Sequence, residues 1–383
     1  MTYLRIRHET RYEFEAPVRE AVMEARLHPR DDIGQAVVQF DLRVTPKVRL
    51  TSFRDWAGNL VHHFDIARTH RKQEVVAESV VKIDPQEHLR ELPDALPPET
   101  WDRYAHMLAV AENLEMTLPS EFALSTAKLE DLAEALGVRR AGDPMTTVQR
   151  AASAVHEHFD YHPESTEVDS PIDDAIDARS GVCQDFAHIL IALLRRLGVP
   201  ARYVSGYLVP RGDDPGAAGG NGPAEASHAW VEALLPTLGW VGVDPTHDRW
   251  VVDGYVRTAV GRDYADVPPV RGVYRGSAES RMTVAVSVAE IDAPPASVAQ
   301  AAPLGWVPPE PVEAAEQEDP LPFEYAAQQM QQQQGSPRER GPQGLSTPDR
   351  PNGPGRGKLS RRAAARSGGG ASSPRPSGCS SAW

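Results

Sequence analysis

Residues 179–188 read RSGVCQDFAH, and they lead directly into an apolar run. From Phe186 onward, apolar side chains recur every three to four residues, which predicts a helix that buries one face. Gly198 and Pro200 then end this helix. Cys183 lies in or beside its first turn, where backbone N–H groups have no partner within the helix and the helix dipole favours an anion. This position therefore favours a thiolate.

Two segments downstream of this helix carry a histidine and an aspartate. Residues 226–232 read ASHAWVE, an alternating pattern typical of a half-buried strand with His228 near its start. Residues 239–246 read GWVGVDPT and predict the next strand, which ends at Asp244 before a proline. If the two strands form a hairpin, His228 and Asp244 lie close together. A thiol needs a neighbouring imidazole, a helix N-terminus or both to act as a nucleophile at neutral pH, and Cys183 is offered both.

The segments GVCQDFAH, ASHAWVE and GWVGVDPT, in this order, resemble the core of the transglutaminase-like superfamily, in the bacterial branch that carries its own N-terminal β domain. The resemblance covers roughly residues 1–290 and is most specific over residues 179–248. It implies a papain-like core in which the cysteine opens a helix packed on an antiparallel sheet that carries the histidine and the aspartate. It also implies that Cys183 is the nucleophile, that His228 is the general base and acid, and that Asp244 orients the imidazole.

The predicted chemistry is acyl transfer through a thioester. His228 takes the proton of the Cys183 thiol, Asp244 fixes the imidazole tautomer, and the thiolate attacks the carbonyl of a peptide bond or a glutamine side chain. The backbone N–H of Cys183 is the first predicted oxyanion donor, with Gln184 or Tyr161 as the second. Resolution by water, as in a peptidase or amidase, is the favoured outcome. Protein-glutamine transamidation (crosslinking) and a noncatalytic peptide-binding module are the alternatives.

The fold class predicted for the chain is α+β, in three parts. Residues 1–90 alternate between apolar and polar side chains, as an antiparallel β-sandwich does, and either pack on the core or shape one wall of the substrate groove. Residues 91–290 form the catalytic core, with helices at about 101–112, 126–136 and 144–158 ahead of the central helix.

The last part, residues 291–383, is rich in Pro, Gln, Gly, Ser and Arg. It cannot bury enough apolar area to offset an ordering entropy of roughly 1–2 kcal/mol per residue, so it is predicted to be disordered. The Gly-rich stretch 211–223 is interpreted as a surface insertion, with a substrate lid as the alternative.

Composition and charge exclude several classes of protein. The 383 residues are 40% hydrophobic, which is enough for a buried core, and the net charge of −14 argues against a nucleic-acid-binding surface. The N-terminal residues alternate as a strand does and lack the apolar segment of a secretory signal. No run approaches the about 20 apolar residues of a membrane span. We therefore predict a cytoplasmic protein that acts on a peptide or protein substrate, without nucleic-acid or membrane partners; its oligomeric state is left open.

Cysteine and histidine usage predicts neither a metal nor a cofactor. The two cysteines, Cys183 and Cys379, provide no disulfide framework and no cysteine-based zinc site. A histidine cluster over residues 156–162 has no matching second cluster, and ligands two apart on a helix diverge. The acidic run over residues 169–174 is interpreted as a solvated loop. His188 lies about 140° round the helix from the cysteine and is interpreted as structural.

Overall fold

The computed structural model describes residues 2–292 apart from 33, 85–91, 164 and 210–226, together with the backbone of Ser380–Ala382. The Gly-rich stretch 211–223 lies outside the described residues, as does nearly all of the predicted tail, including Cys379. Among the helices that are described, none is long and apolar enough to cross a membrane.

Strands are the most abundant regular element of the described chain, and all of their pairings except that of β7 with β8 are antiparallel. In chain order the strands are β1 (Thr2–Val18), β2 (Glu20–Ala25), β3 (Gln35–Thr45), β4 (Thr51–Arg54), β5 (Leu60–Ile66), β6 (His70–Ile83), β7 (Asp160–Tyr161), β8 (Ser180–Gly181), β9 (Ala201–Leu208), β10 (Ser227–Leu235), β11 (Gly239–Asp244), β12 (Arg249–Trp250), β13 (Tyr255–Gly261), β14 (Val270–Arg275), β15 (Ser280–Ile291) and β16 (Ser380–Ala382).

Two of the sheets form the predicted N-terminal β-sandwich. One has the strand order β15-β1-β6-β3 and the other the order β16-β14-β2-β5-β4. One hydrophobic cluster joins them, with Tyr12 and Phe14 of β1, Met23 of β2, Phe64 of β5 and Tyr274 of β14 all buried within it. Alternate side chains of β1, β2, β3, β5 and β6 point into this shared core, which is the period of two seen in the sequence.

The β-sandwich is completed by two strands, β14 and β15, that follow the core in the sequence. Strand β14 pairs with β2, and β15 pairs with β1 over most of its length. Strand β14 and all but the last residue of β15 fall inside the range 91–290 that the sequence assigns to the core, and their pairing places them in the sandwich instead. The predicted division of the chain at residues 90 and 290 otherwise stays a prediction.

All of the described α-helices lie between strands β6 and β9 in the chain. They are α1 (Tyr104–Met107), α2 (Ala111–Glu115), α3 (Ala127–Ala135), α4 (Pro144–His158), α5 (Ile172–Ala178) and α6 (Cys183–Arg196), with 3₁₀ turns at Pro98–Arg103 and Tyr264–Asp266. The prediction of one continuous helix at about 101–112 is therefore wrong. The side-chain amide of Asn113 donates to the Met107 carbonyl at 3.0 Å and so competes for an acceptor that a continuous helix would use.

The central helix α6 is the one that the opening stretch predicts. It packs on a five-stranded sheet of order β12-β11-β10-β9-β13, and its Phe186, Leu190 and Leu193 share one buried cluster with Val231 of β10. Gly198, with a φ of 78°, ends the helix in the left-handed region that a side chain would strain. Helices on one side of an antiparallel sheet and a separate β-sandwich give the predicted α+β fold.

Candidate active site

The first turn of α6 is held in place by the residues around Cys183. Asp185, in this turn, accepts a hydrogen bond from the Val182 backbone N–H at 2.8 Å, and its side chain also accepts one from the Thr166 hydroxyl at 2.6 Å. A Cβ on Gly181 would lie 2.8 Å from the Asp185 Cβ, so only glycine fits there. The motif residues on either side of the cysteine therefore fix where the helix starts and where its thiol points.

The predicted hairpin brings the histidine to the aspartate. Strands β10 and β11 pair with Val231 opposite Val243, which places the start of β10 beside the end of β11. His228 Nε2 lies 2.8 Å from Asp244 Oδ2, and both side chains are buried. A carboxylate can only accept, so Nε2 carries the proton in this contact. Nδ1 is then the ring nitrogen left for Cys183, which lies close enough to His228 to raise the pKa of its imidazole.

Asp244 is the centre of a larger hydrogen-bond network. The same oxygen that contacts His228 accepts from His247 Nδ1 at 2.7 Å and from the Tyr255 hydroxyl at 2.6 Å. The other oxygen accepts the backbone N–H of Thr246 at 2.9 Å. We name Asp244 and these four partners, His228, His247, Tyr255 and Thr246, the aspartate network.

His247 and Tyr255 were not found from the sequence. His247 follows Asp244 by three residues within the turn after β11, so its proximity could have been suspected. Tyr255 belongs to β13, the edge strand of the sheet opposite β12. This strand reaches the site only because it pairs with β9. Nothing local in the sequence signals that pairing.

The network sets the charges of the site. Burial by itself would raise the pKa of Asp244, but the positive charge of His228 and the hydrogen bonds from His228 and His247 hold that pKa far below its usual range. Burial would lower the pKa of His228, yet the charge and hydrogen bond of Asp244, with the contact to Cys183, raise it to about 10. Burial, with the charge of Asp244, also raises the pKa of Tyr255, so its hydroxyl stays protonated and donates. The site therefore favours an imidazolium held on a carboxylate.

The two predicted oxyanion residues lie beside the thiol. Strand β7 pairs in parallel with β8, with Tyr161 opposite Gly181, and this pairing brings Tyr161 to the start of α6. The Gln184 amide nitrogen donates to the Val168 carbonyl at 2.8 Å, which uses one of its two N–H groups. Tyr161, Gln184 and Cys183 line the same cavity. Their role as oxyanion donors stays a prediction.

This cavity has a volume of about 420 Å³ and lies between the core and the β-sandwich. Cys183 and His228 line it from the core side. From the sandwich side come His8 and Thr10 of β1 with Met282 and Val284 of β15. The β-sandwich thus contributes a wall of the cavity, one of the two roles expected of it.

Side chains that could suggest a metal site are engaged in hydrogen bonds. His228, Asp244 and His247 offer ligand atoms within 4.8 Å of one another. Both imidazoles, however, donate to the same carboxylate oxygen, so a cation bound there would displace these protons and withdraw His228 from the thiol. In the predicted histidine cluster, His156 contacts the Thr246 carbonyl and His162 contacts the Pro163 carbonyl, so the rings point to different acceptors.

His188 has the structural environment that the helix geometry predicts. Its Nε2 accepts the backbone N–H of Tyr264 at 3.1 Å, and its ring stacks on Phe122 at 5.4 Å. Burial lowers the pKa of His188 to about 3, which keeps the acceptor nitrogen unprotonated. The ring therefore ties α6 to the 3₁₀ turn at Tyr264–Asp266 rather than facing Cys183.

Comparisons with known proteins agree with the resemblance seen in the sequence. Residues 131–245 match the model of the transglutaminase-like superfamily, and residues 4–82 match that of the bacterial transglutaminase-like N-terminal region. A crystal structure from Cytophaga hutchinsonii, described as a candidate cysteine protease, superposes with a TM-score of 0.58 over 76% of this chain and 92% of that one. Its sequence identity of 22% makes this a likeness of fold.

Two relatives extend the comparison. An uncharacterized protein of Mycobacterium leprae is 32% identical over 291 residues, which are 76% of this chain and the whole of that protein. A protein-glutamine gamma-glutamyltransferase of Pseudomonas aeruginosa is 40% identical over 96 residues, or 24% of this chain and 14% of that protein. From its two family domains and its match to the full length of the mycobacterial protein, the chain belongs to the transglutaminase-like superfamily, in the group with the bacterial N-terminal region.

Proposed function

We propose that this protein is a cysteine-dependent enzyme that forms a thioester from an amide, in a peptide bond or a glutamine side chain, and passes the acyl group to water. The observation that carries the proposal is that a thiol and an imidazole line one cavity and that a buried carboxylate holds this imidazole. Cys183 opens a helix, His228 contacts it, and Asp244 holds the other ring nitrogen at 2.8 Å.

In the first half of the reaction, His228 Nδ1 takes the proton from the Cys183 sulfur while Asp244 stabilises the imidazolium. The thiolate adds to the amide carbonyl, and the resulting oxyanion is bound by the Cys183 backbone N–H with Gln184 or Tyr161 as second donor. Collapse of this intermediate breaks the C–N bond. The amine or ammonia leaves with the proton from His228, and the acyl group remains on sulfur.

In the second half, a nucleophile resolves the thioester. His228 takes a proton from water as the oxygen attacks the acyl carbon, and the C–S bond breaks to release a carboxylic acid and restore Cys183. A primary amine in place of water would give a transamidase. That second candidate is favoured by the likeness to the glutamyltransferase of Pseudomonas aeruginosa over 96 residues.

The first experiment measures the alkylation of Cys183 by iodoacetamide from pH 5 to pH 10, in a Cys379→Ser background, beside the same protein carrying His228→Ala. We expect rapid alkylation well below pH 8 that is lost without His228. A thiol that is inert, or that titrates as a free cysteine whatever residue occupies position 228, would contradict the proposal and favour the noncatalytic peptide-binding module.

The second experiment separates the two outcomes of the thioester. Glutamine-containing peptides are incubated with the protein in the presence and absence of a biotinylated pentylamine. The products are identified by mass spectrometry. A hydrolase gives the acid, or shorter peptides, even with the amine present. Incorporation of the amine as the main product would assign the protein as a transamidase, and Cys183→Ala should abolish either product. A cytoplasmic location for this reaction stays a prediction.

A further inference from the structure

The cavity beside Cys183 has a wall without formal charge. Among the described residues that line it there is no Asp, Glu, Lys or Arg, although the chain as a whole carries a net charge of −14. The side facing the β-sandwich is largely apolar, with Val270, Met282 and Val284. On this side a charged substrate side chain would lose water and gain no ion pair, because burial lowers the pKa of His8 to about 4 and the imidazolium of His228 lies on the core side. This wall therefore suits an uncharged ligand.

Met282 and Val284 belong to an apolar stripe on one face of β15. The register with β1 sets Met282 opposite Tyr12 and Val284 opposite Thr10, so these side chains point to the same face. The next residue of the stripe, Val286, is buried in a cluster with Tyr207 of the core. By contrast, Met282 is 42% exposed and Val284 is 45% exposed. The stripe thus continues from a buried contact between sandwich and core into the cavity, where its apolar surface is uncovered.

Strand β15 is also an edge strand. It is the first in the order β15-β1-β6-β3, and β1 occupies one of its sides. In the part of the chain that the structure describes, no strand pairs with its other side. An edge of this kind presents backbone donors and acceptors to which an extended polypeptide can add as a further strand.

We propose that β15 binds the acyl-donor substrate as an extended polypeptide segment, which pairs with the free edge of the strand and lays uncharged, apolar side chains on Met282 and Val284. This inference rests on the proposed function and names the substrate class of the same site. The occupant is assigned as substrate because the uncovered surface is continuous with the cavity that contains Cys183. The β-sandwich then selects the polypeptide, and the core performs the chemistry.

The test uses three peptidyl chloromethyl ketones that alkylate a reactive cysteine: acetyl-Val-Val-Val-Ala, acetyl-Glu-Glu-Glu-Ala and acetyl-Lys-Lys-Lys-Ala. Labelling rates of Cys183 are measured at pH 7 in the full chain with Cys379→Ser, each divided by the iodoacetamide rate of the same protein. We expect the valine probe to label about tenfold faster than both charged probes. Using both charges separates apolar selection from attraction to an acidic protein.

Matched variants locate the selection on β15. Val284→Glu, and the uncharged Val284→Asn, should each reduce labelling by the valine probe about tenfold relative to the iodoacetamide rate of the same variant. Thr283→Glu, on the opposite face of the same strand and exposed, should change neither rate. Val284 is exposed on an edge strand, so both substitutions are compatible with folding, and the iodoacetamide rate reports the intact site.

Each contrary result has a distinct meaning. Equal labelling by the three probes, or equal effects of Val284→Glu and Thr283→Glu, would overturn the proposal while leaving the thiol chemistry standing. Faster labelling by every probe in Val284→Glu would mean that another segment of this chain, rather than the substrate, binds to Met282 and Val284. A change of oligomeric state in Val284→Glu, without a change in probe preference, would mean that a second copy of the protein binds to this surface. An inert thiol towards iodoacetamide would instead refute the proposed function.

Discussion

Replacing Asp244 by asparagine tests the aspartate network most directly. Asparagine keeps one oxygen and exchanges the other for an NH₂ group, which cannot accept. With the amide oxygen at the Oδ2 position, the three side-chain donors keep their acceptor, and only the Thr246 N–H faces the NH₂ group. In the reverse orientation, His228, His247 and Tyr255 would all face a donor. The first orientation is therefore favoured, and His228 keeps its proton on Nε2.

The expected effect then comes from the lost charge rather than from a wrong tautomer. Two unit charges about 4 Å apart interact with about 4 kcal/mol at an effective dielectric constant of 20. Losing this stabilisation of the imidazolium corresponds to roughly a 10³-fold drop in turnover. The unpaired Thr246 N–H costs about 1–3 kcal/mol of folding free energy. The variant should therefore fold, with reduced stability.

Alkylation of Cys183 by iodoacetamide checks this reasoning without a known substrate. At pH 6 the Asp244→Asn thiol should react roughly 10²-fold more slowly than the wild-type thiol, because an ordinary thiol is almost fully protonated there. The difference should vanish above about pH 9, where any thiol ionises. Urea unfolding measures the cost in stability, and ¹⁵N NMR of the His228 ring reports which nitrogen carries the proton.

Two results would refute the argument. A rate at pH 6 within about threefold of wild type would mean that the Asp244 charge does not maintain the ion pair with the thiolate. A proton found on His228 Nδ1 in the neutral variant would mean that the amide takes the reverse orientation. In that case the loss of turnover should approach the larger value, about 10⁴, known for a triad with the wrong tautomer.

Three further substitutions test how the site is supported. Gly206→Ala should destabilise by about 3 kcal/mol or more in urea unfolding, because its Cβ would lie 2.6 Å from the Trp230 ring, whereas Gly142→Ala, with nothing within 4 Å, should be neutral. His188→Gln should flatten the loss of stability between pH 6.5 and pH 4, since the lowered pKa of His188 costs up to about 1.4 kcal/mol per pH unit as the unfolded chain alone takes up a proton. Arg195→Met should cost about 3–5 kcal/mol in the same unfolding assay, because the buried guanidinium donates to four backbone carbonyls.

The helix that starts at Cys183 and the contact of His228 with Asp244 are predictable from the sequence because the signals for them are local. A helix start shows in the spacing after Cys183, and a hairpin between two alternating segments brings His228 to Asp244 whatever the rest of the chain does. The strand register in the structure needs only a short turn between β10 and β11. Local periodicity and turn length are the features that a single sequence displays.

The surroundings of the site could not be read in the same way. Tyr255 reaches Asp244 through the pairing of β13 with β9, and β15 joins a sandwich whose first strand is more than 260 residues earlier in the chain. An alternating pattern predicts a strand but does not say which sheet receives it. For this reason the sequence assigns residues 280–290 to the core, and it does not predict the donors to Asp244 other than His228.

This difference between local and distant residues also limits which properties of this protein can be inferred from its family. The superfamily match over residues 131–245 contains all three candidate catalytic residues. Met282 and Val284 lie outside it and outside the N-terminal match over residues 4–82. Membership of the family therefore argues for the reaction of Cys183 and says little about the polypeptide that β15 would select. Relatives should share the alkylation behaviour of the cysteine, while their preference among the three peptidyl probes should follow the side chains at the positions equivalent to Met282 and Val284.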